Sequence, residues 1–195
     1  MSSYANATGD LRIVKRSGWT RQPWRNGKGT TNEVLRDGDS ESFVWRISVA
    51  EVSESAHFSQ FNGVDRILTQ LEGGPLLLTI ADTTVKTAAL GEPCPFAGEV
   101  PVYCHVTGGT ARDLNVMTRR DRVRASMARL SSDFELSVAP GGRSFAYVAQ
   151  GEVTFAGKRL EADDLIEATP GESLKIDVAP GAVVYRIDIV GREGA

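Results

Sequence analysis

The sequence has little of what nucleic-acid-binding, secreted or membrane proteins need. Its 195 residues carry 22 basic against 25 acidic side chains, a net charge of −3, whereas binding to nucleic acid phosphates requires a basic surplus. The longest apolar run, Leu76–Ala81, is far shorter than the ~20 residues of a membrane span. Met1–Gly18 lacks the apolar core of a signal peptide. These absences argue against nucleic acid and membrane partners and predict a cytoplasmic protein.

Histidine and cysteine are also scarce, which limits metal and thiol chemistry. The two cysteines, Cys94 and Cys104, are expected to be reduced thiols in the cytosol. The two histidines, His57 and His105, are too few for the histidine cluster of a transition-metal site, so we expect no metal and no cofactor. Cys104 and His105 are neighbours that point to opposite faces of a strand, which rules out a catalytic dyad between them. His57 is predicted to lie in a loop.

Short apolar and β-branched segments recur along the whole chain, with Gly, Pro, Asp or Asn between them. Such segments are typical of β-sandwiches and barrels. The predicted strands are 11–14, 43–49, 64–71, 76–80, 83–87, 102–107, 114–118, 134–138, 144–149, 153–155, 165–168, 174–178 and 183–190. Only 120–132 also fits a helix, because Val123, Met127 and Leu130 recur at helical spacing while Val123, Ala125 and Met127 fit strand alternation. We therefore expect an all-β fold and leave 120–132 open.

A weak internal repeat divides the chain into two similar parts. ILTQLEG at residues 67–73 is similar to FAYVAQG at residues 145–151, and each ends in a glycine turn. The repeat predicts two β-barrels in tandem, packed as one compact unit. We place the N-terminal barrel at residues 1–125 and a smaller C-terminal barrel at residues 126–195.

The second half resembles a cupin barrel. Residues 146–176 contain a Gly-Glu turn, an acidic turn at Asp163-Asp164 and a Pro-Gly turn in the cupin order. In metal-binding cupins the barrel mouth presents several histidines, but the positions near Tyr147, Ala149 and Ser173 hold none. The resemblance therefore implies a cupin-like barrel without the transition-metal site. Asp163-Asp164 is interpreted as a structural hairpin turn, and the second barrel as a structural companion of the first.

Four further motifs occur in order: PWRNGKGTTNEV at 23–34, WRISVAE at 45–51, FSQFNGVDR at 58–66 and DLNVM at 113–117. Together they resemble the HutD/Ves family over residues 19 to about 190. The resemblance implies a bicupin that lacks the cupin metal site and is linked in some bacteria to histidine utilisation. It also implies a ligand-sensing role that involves formylglutamate.

The loop at Asn26, Gly27 and Gly29 is the first candidate binding element. Such a loop permits positive φ and exposes backbone N–H groups that can bind carboxylate or phosphate oxygens. The alternative is a tight turn with no ligand, since the loop lacks the ending of a P-loop. Beside it stand an aromatic ring, a hydroxyl and a carboxylate, which are ingredients of a small polar-ligand pocket: Trp24, Thr31 and Glu33.

Two arginines are candidates for holding a ligand carboxylate. Alternation along 43–49 places Arg46 and Ser48 opposite the apolar face, so they face either the barrel mouth or solvent. Arg66 is the second arginine, with an ion pair to a neighbouring acid as its alternative role. On the predicted strand 113–117, Asp113 and Asn115 share one face and could both point into a cavity, or could serve only as strand-end caps.

These features favour a metal-independent binding protein for a small acylamino acid or dicarboxylate, with a sensing or regulatory role. A homodimer stays open. The alternative from another class is a cofactor-free isomerase or hydrolase, with Glu33 as base and Arg46 holding the carboxylate. Sensing is favoured because the sequence shows no nucleophile and base in combination. A third alternative is a purely structural or interaction protein.

Overall fold

The computed structural model describes residues 12–24, 27–87, 89–168, 170–171 and 173–192, and these residues are almost entirely β-structure. The first strands are β1 (Arg12–Val14), β2 (Thr20–Pro23), β3 (Gly29–Asp37), β4 (Trp45–Val52), β5 (Ala56–His57), β6 (Val64–Glu72), β7 (Leu76–Ile80), β8 (Thr83–Lys86), β9 (Cys94–Ala97), β10 (Val102–Val106) and β11 (Ala111–Arg119). The later strands are β12 (Val123–Leu130), β13 (Phe134–Ser137), β14 (Arg143–Gln150), β15 (Glu152–Phe155), β16 (Lys158–Glu161), β17 (Leu165–Ala168), β18 (Ser173–Val178) and β19 (Val183–Gly191). A single 3-10 turn within the described residues spans Arg16–Gly18.

Four antiparallel sheets build two barrels. The first barrel combines a six-stranded sheet, in the order β2-β3-β4-β11-β6-β9, with a four-stranded sheet, β5-β10-β7-β8. The second combines a five-stranded sheet, β1-β17-β14-β19-β12, with a four-stranded sheet, β13-β18-β15-β16. The predicted all-β tandem of cupin-like barrels is confirmed.

Three apolar layers lie between the sheets. The largest joins the six-stranded to the five-stranded sheet and includes Trp45, Ile47 and Leu114 from the first barrel and Phe145 and Tyr185 from the second. Each barrel also has its own core between its large and small sheets. Because the six-stranded sheet is covered on both faces, its central strands are buried along nearly their whole length. The face turned away from the second barrel borders both the core of the first barrel and a cavity.

The segment left open at residues 120–132 is a strand. β12 pairs along its length with β19, and its burial alternates, with Val123, Ala125 and Met127 packed against the largest core. The segment therefore follows the two-residue repeat of a strand and not the spacing of a helix. The largest core covers these three side chains on one face of the sheet.

The first described strand crosses to the second barrel. β1 pairs with β17, and Arg12 lies opposite Glu167. Within the described residues, β1 and the whole of β12 thus belong to the sheet of the second barrel. The division between residues 125 and 126 stays a prediction.

The acidic turn at Asp163-Asp164 holds the parts together. Asp163 is buried, has a φ of +75° and accepts hydrogen bonds from the Tyr147 hydroxyl at 2.5 Å, from Arg112 at 2.8 and 2.9 Å and from Arg16 at 2.8 Å. Asp164 accepts one from Lys15 at 2.5 Å. These contacts link the second barrel to β11 through Arg112 and to the segment after β1 through Lys15 and Arg16. They agree with the prediction that the acidic turn has a structural role.

Both cysteines are free thiols. Cys104 lies in the core of the first barrel, where burial and the nearby Asp113 raise its pKa to about 12. His105, the next residue, is exposed, as strand alternation predicted. No helix among the described residues has the length and apolarity needed to cross a bilayer.

Candidate functional site

A cavity of about 430 Å³ lies in the first barrel, between the six-stranded sheet and the segment 57–61. Its lining combines the rings of Trp24, Phe58 and Phe61 with a larger number of polar side chains. The lining residues are Gln22, Pro23, Trp24, Thr31, Arg46, Ser48, Ala50, His57, Phe58, Ser59, Phe61, Arg66, Asp113, Asn115 and Met117. Its size is within the range of small-molecule sites, which combine apolar walls with a few placed polar groups.

Strand register arranges the floor in three rows. Met117 pairs with Arg46 on one side and with Arg66 on the other. Asn115 pairs with Ser48 in the next row, and Asp113 with Ala50 in the third. Because neighbouring strands lie ~4.8 Å apart, the two arginines flank Met117 with their Cα atoms roughly 10 Å apart. Alternation directs these side chains into the cavity and their neighbours in sequence towards the largest core.

Arg66 is a buried cation without a direct polar partner. Arg66 is 6% exposed, and its Nε has no hydrogen-bond partner. Within the described part of the chain, its guanidinium forms no salt bridge or hydrogen bond. It stacks instead on three phenylalanine rings at 5.2, 5.9 and 4.9 Å, those of Phe58, Phe61 and Phe96. Burial lowers the pKa of Arg66 to about 10. The negative charge of Asp113 acts in the raising direction, and the positive charge of Arg46 adds a smaller lowering effect. The predicted alternative of an ion pair with Asp65 is not formed, because Asp65 pairs with Arg120.

Arg46 is held in a similar way. Its guanidinium lies 5.0 Å from the ring centre of Phe43 and 5.8 Å from that of Phe61. One of its N–H groups donates to the Met117 sulfur at 3.0 Å, while Nε has no partner. Burial lowers the pKa of Arg46, Glu33 raises it and Arg36 lowers it further. Two guanidinium groups with free N–H donors therefore share one cavity.

Asp113 and Asn115 supply acceptors that also lack partners. Asp113 is 1% exposed and neither of its carboxylate oxygens is hydrogen-bonded. Burial raises its pKa to about 7, although Arg66 acts in the opposite direction. Asn115 is 7% exposed, and its Oδ1 also has no partner. The sequence showed that these two residues share a face, but it did not show that they are buried.

The Trp24 ring forms one wall of the cavity and is held by its neighbours. Its indole N–H donates to the Thr31 hydroxyl at 2.8 Å, and its ring meets that of Phe58 edge to face at 6.2 Å. Gly29 lies against the ring, where an added Cβ would come within 2.9 Å of it and within 2.7 Å of the Glu51 carbonyl oxygen. Close packing, rather than ligand contact, is thus what the structure assigns to Gly29.

The loop before Gly29 forms a turn outside the lining. Gly27 has a φ of +72°, and its N–H donates to the Trp24 carbonyl at 3.0 Å. Gly27 is exposed and does not line the cavity. Asn26, predicted to do so, lies outside the described residues.

The structure corrects two further expectations. Glu33 was expected to line the cavity, but its carboxylate binds Arg36 and it is not part of the lining. Its register partner is Ser48, which lines the cavity, so Glu33 lies on the expected face of β3 but binds Arg36 beside the cavity. His57 was expected in a loop, but it lies in β5, meets the Tyr103 ring edge to face at 4.7 Å and lines the cavity.

A second concavity of about 720 Å³ is open and rich in arginine. It runs beside Phe43 and is bordered by Arg119, Arg120, Arg122 and Arg192. Arg120 is already paired with Asp65 and Glu99. Most of the buried polar atoms without partners, those of Arg46, Arg66, Asp113 and Asn115, belong to residues that line the first cavity, which is therefore the stronger candidate. Among the described residues, no group of three or more His, Cys, Asp or Glu side chains is arranged to hold a metal ion.

Comparison with known proteins adds a family. Residues 16–185 match a family model described as HutD. Protein Ves of Cronobacter sakazakii is 38% identical over 164 residues, which cover 83% of this chain and 90% of that protein. A 21.2 kDa Pseudomonas putida protein named for the hutC 3' region is 32% identical over 154 residues, covering 77% of this chain and 81% of that protein. The structure of HutD from Pseudomonas fluorescens SBW25 (formate condition) matches with a TM-score of 0.83 at 26% identity, covering 94% of this chain and 100% of that chain.

Proposed function

Since the chain belongs to the HutD family, we propose that its first barrel is a binding site for a small carboxylate, either an acylamino acid or a dicarboxylate. The observation that carries this proposal is a pair of arginines in one cavity of about 430 Å³, the buried Arg66 and the half-buried Arg46, whose Nε atoms have no hydrogen-bond partner. Binding then serves sensing or regulation rather than catalysis.

A carboxylate is the ligand that best satisfies these two groups. Burying an unpaired cation is unfavourable, and the planar guanidinium fork matches the two oxygens of a carboxylate. Phenylalanine rings already hold both guanidinium planes in place, so little side-chain freedom is lost when the ligand enters.

The biological setting that we propose is histidine utilisation. The Pseudomonas putida relative is named for its position in the hutC 3' region, and the family resemblance implies formylglutamate as the ligand. N-formylglutamate has two carboxylates and a formamide, so its charges match two arginines and its amide matches the remaining polar groups of the floor.

Thermal-shift measurements with N-formylglutamate, glutamate and urocanate test for a ligand. An acid present at 100 times its Kd should add about 2.7 kcal/mol to the free energy of unfolding. No shift with any of the three acids contradicts the proposal.

Calorimetric titration of variants locates the site. Arg46→Ala should weaken binding of N-formylglutamate by about 1.5–3 kcal/mol, the contribution of a charged hydrogen bond. Arg143→Ala and Glu152→Ala are matched controls in the second barrel, where each side chain forms a partly exposed ion pair. Both should keep the affinity within a factor of a few, and equal losses in all three variants would move the site out of the first barrel.

A cofactor-free hydrolase or isomerase is the second candidate, and Asp113 favours it. A general acid or base acts best with a pKa near the working pH, and the pKa of Asp113 is raised by burial to about 7. Glu33 is less suited to be the base, because its carboxylate binds Arg36. Release of formate from N-formylglutamate would support a hydrolase, whereas binding with the ligand left intact supports a sensor.

A further inference from the structure

The floor of the cavity holds unsatisfied acceptors as well as unsatisfied donors. The arginines account for a ligand's carboxylates, but they leave the Asp113 carboxylate and the Asn115 Oδ1 without a hydrogen bond. Buried acceptors are nearly always paired in folded proteins, and each exception calls for an explanation. Both residues line the cavity, so a bound molecule can reach them.

The two residues that pair with Asp113 in the sheet have no spare donor to offer. On β4 its register partner is Ala50, which has no polar side chain. On β6 its partner is Gln70, whose amide donates to the carbonyls of Glu72, Gly73 and Gly74 and whose Oε1 accepts from Leu76 N–H and the Thr87 hydroxyl. Arg66 attracts Asp113 electrostatically but forms no salt bridge with it within the described residues.

Resting on the proposed function, we infer that Asp113 is a specificity-determining residue that accepts a hydrogen bond from an N–H group of the bound carboxylate ligand. Asn115 lies one row nearer to the arginines and offers its Oδ1 as a second acceptor to the same part of the ligand. The ligand therefore combines a carboxylate, held by Arg46 or Arg66, with an N–H donor close to it. N-acylamino acids have this combination, and simple dicarboxylates lack it.

The lack of a donor around Asp113 explains why the preference is selective. A dicarboxylate without N–H has no group that can donate to the Asp113 carboxylate, whose oxygens then stay unsatisfied in the complex. A site built around a hydrogen bond discriminates strongly against an analogue that cannot make it. Among the described residues, Arg66 on β6 and Cys104 on β10 interact electrostatically with Asp113, and Arg46 on β4 and His57 on β5 line the same cavity.

A pair of probes that differ only at the nitrogen tests the inference. Titration calorimetry compares N-formylglutamate with N-formyl-N-methylglutamate, in which N–CH3 replaces N–H, and with glutarate. In the wild-type protein the N–H compound should bind roughly 10- to 100-fold more tightly than either analogue, as expected for a hydrogen bond to a charged group. In Asp113→Leu, which keeps the side-chain size but removes the acceptor, the two formyl compounds should bind with similar affinity.

Asp113→Asn keeps the test valid if the leucine variant does not fold. The amide retains an acceptor oxygen but loses the charge, so the preference for N–H should fall several-fold. An N–H preference unchanged in Asp113→Asn overturns the inference, and so do equal affinities of the wild-type protein for all three probes. That second result leaves the proposed carboxylate site intact, whereas binding of none of the probes refutes the proposed function itself.

Discussion

At the scale of single residues, the cavity keeps side chains that stability alone does not favour. Asp113 and Arg66 are both nearly fully buried, and neither has a hydrogen bond or a salt bridge in the described chain. Such groups cost free energy in the folded protein, and titratable groups with shifted pKa values are concentrated at functional sites. We therefore expect removal of either group to affect stability and binding in opposite directions.

Asp113→Asn should make the protein more stable, increasingly so as the pH rises from about 4 to about 7. The folded-state pKa of Asp113, about 7, lies above the ordinary value of 3.8, so within this window the folded protein holds a proton that the unfolded chain has lost. Stability of the wild-type protein therefore falls with rising pH relative to the variant, by a total on the order of 4 kcal/mol. Urea denaturation of both proteins between pH 4 and 8 measures this difference, and a difference that does not grow with pH contradicts it.

At the scale of single strands, the sequence predicted the face to which side chains point but not the contacts that they make there. Alternation placed Arg46 and Ser48 opposite the apolar face, and in β4 they line the cavity. Glu33 was expected in the lining but binds Arg36, and no pattern in the sequence encodes that contact. The burial of Asp113 was also beyond prediction, since it requires the segment 57–61 and the sheet containing β10 to cover it.

Gly29→Ala tests the close packing at the start of β3. A Cβ at this position would lie 2.7 Å from the Glu51 carbonyl oxygen and 2.9 Å from the Trp24 ring, so backbone or ring must move. Overpacking of this kind costs about 1–3 kcal/mol. Gly18→Ala is the control, because its Cβ would meet nothing within 4 Å, and its free energy of unfolding should stay within ~0.5 kcal/mol of the wild-type value. Urea denaturation that gives equal stabilities for both variants contradicts the predicted strain.

At the scale of the whole molecule, the central strands of the first barrel separate two roles by face. In β4 and β11 one face packs against the second barrel, through Trp45, Ile47 and Leu114. The opposite face carries Arg46 and Asn115 into the cavity. The internal repeat predicted the two barrels. It did not predict that the two faces of β4 and β11 have different roles, or that β1 pairs with the sheet of the second barrel, because pairing between distant strands leaves no local pattern in the sequence.

Asp163→Asn should weaken the link between the barrels without changing ligand binding. Asparagine tolerates the positive φ at this position but removes the charge that Arg16 and Arg112 share. Loss of one partner from a buried ion pair costs roughly 3 kcal/mol. Asp177→Asn, which breaks an exposed pair with Lys175, should cost under ~1 kcal/mol. Denaturation and calorimetry with N-formylglutamate measure both effects, and a loss of affinity in Asp163→Asn would contradict the separation of roles.

The pairing of β1 with β17 also determines when the protein can finish folding during synthesis. Arg12 contacts Glu167, 155 positions further along the chain. At about 5–20 residues per second, a ribosome needs roughly 8–30 s to make the intervening segment. β1 therefore stays without its partner strand for that time. The first barrel, whose last strand ends at Arg119, can be completed before then, and the Asp163 contacts that fix Arg16 form only once the turn before β17 has emerged.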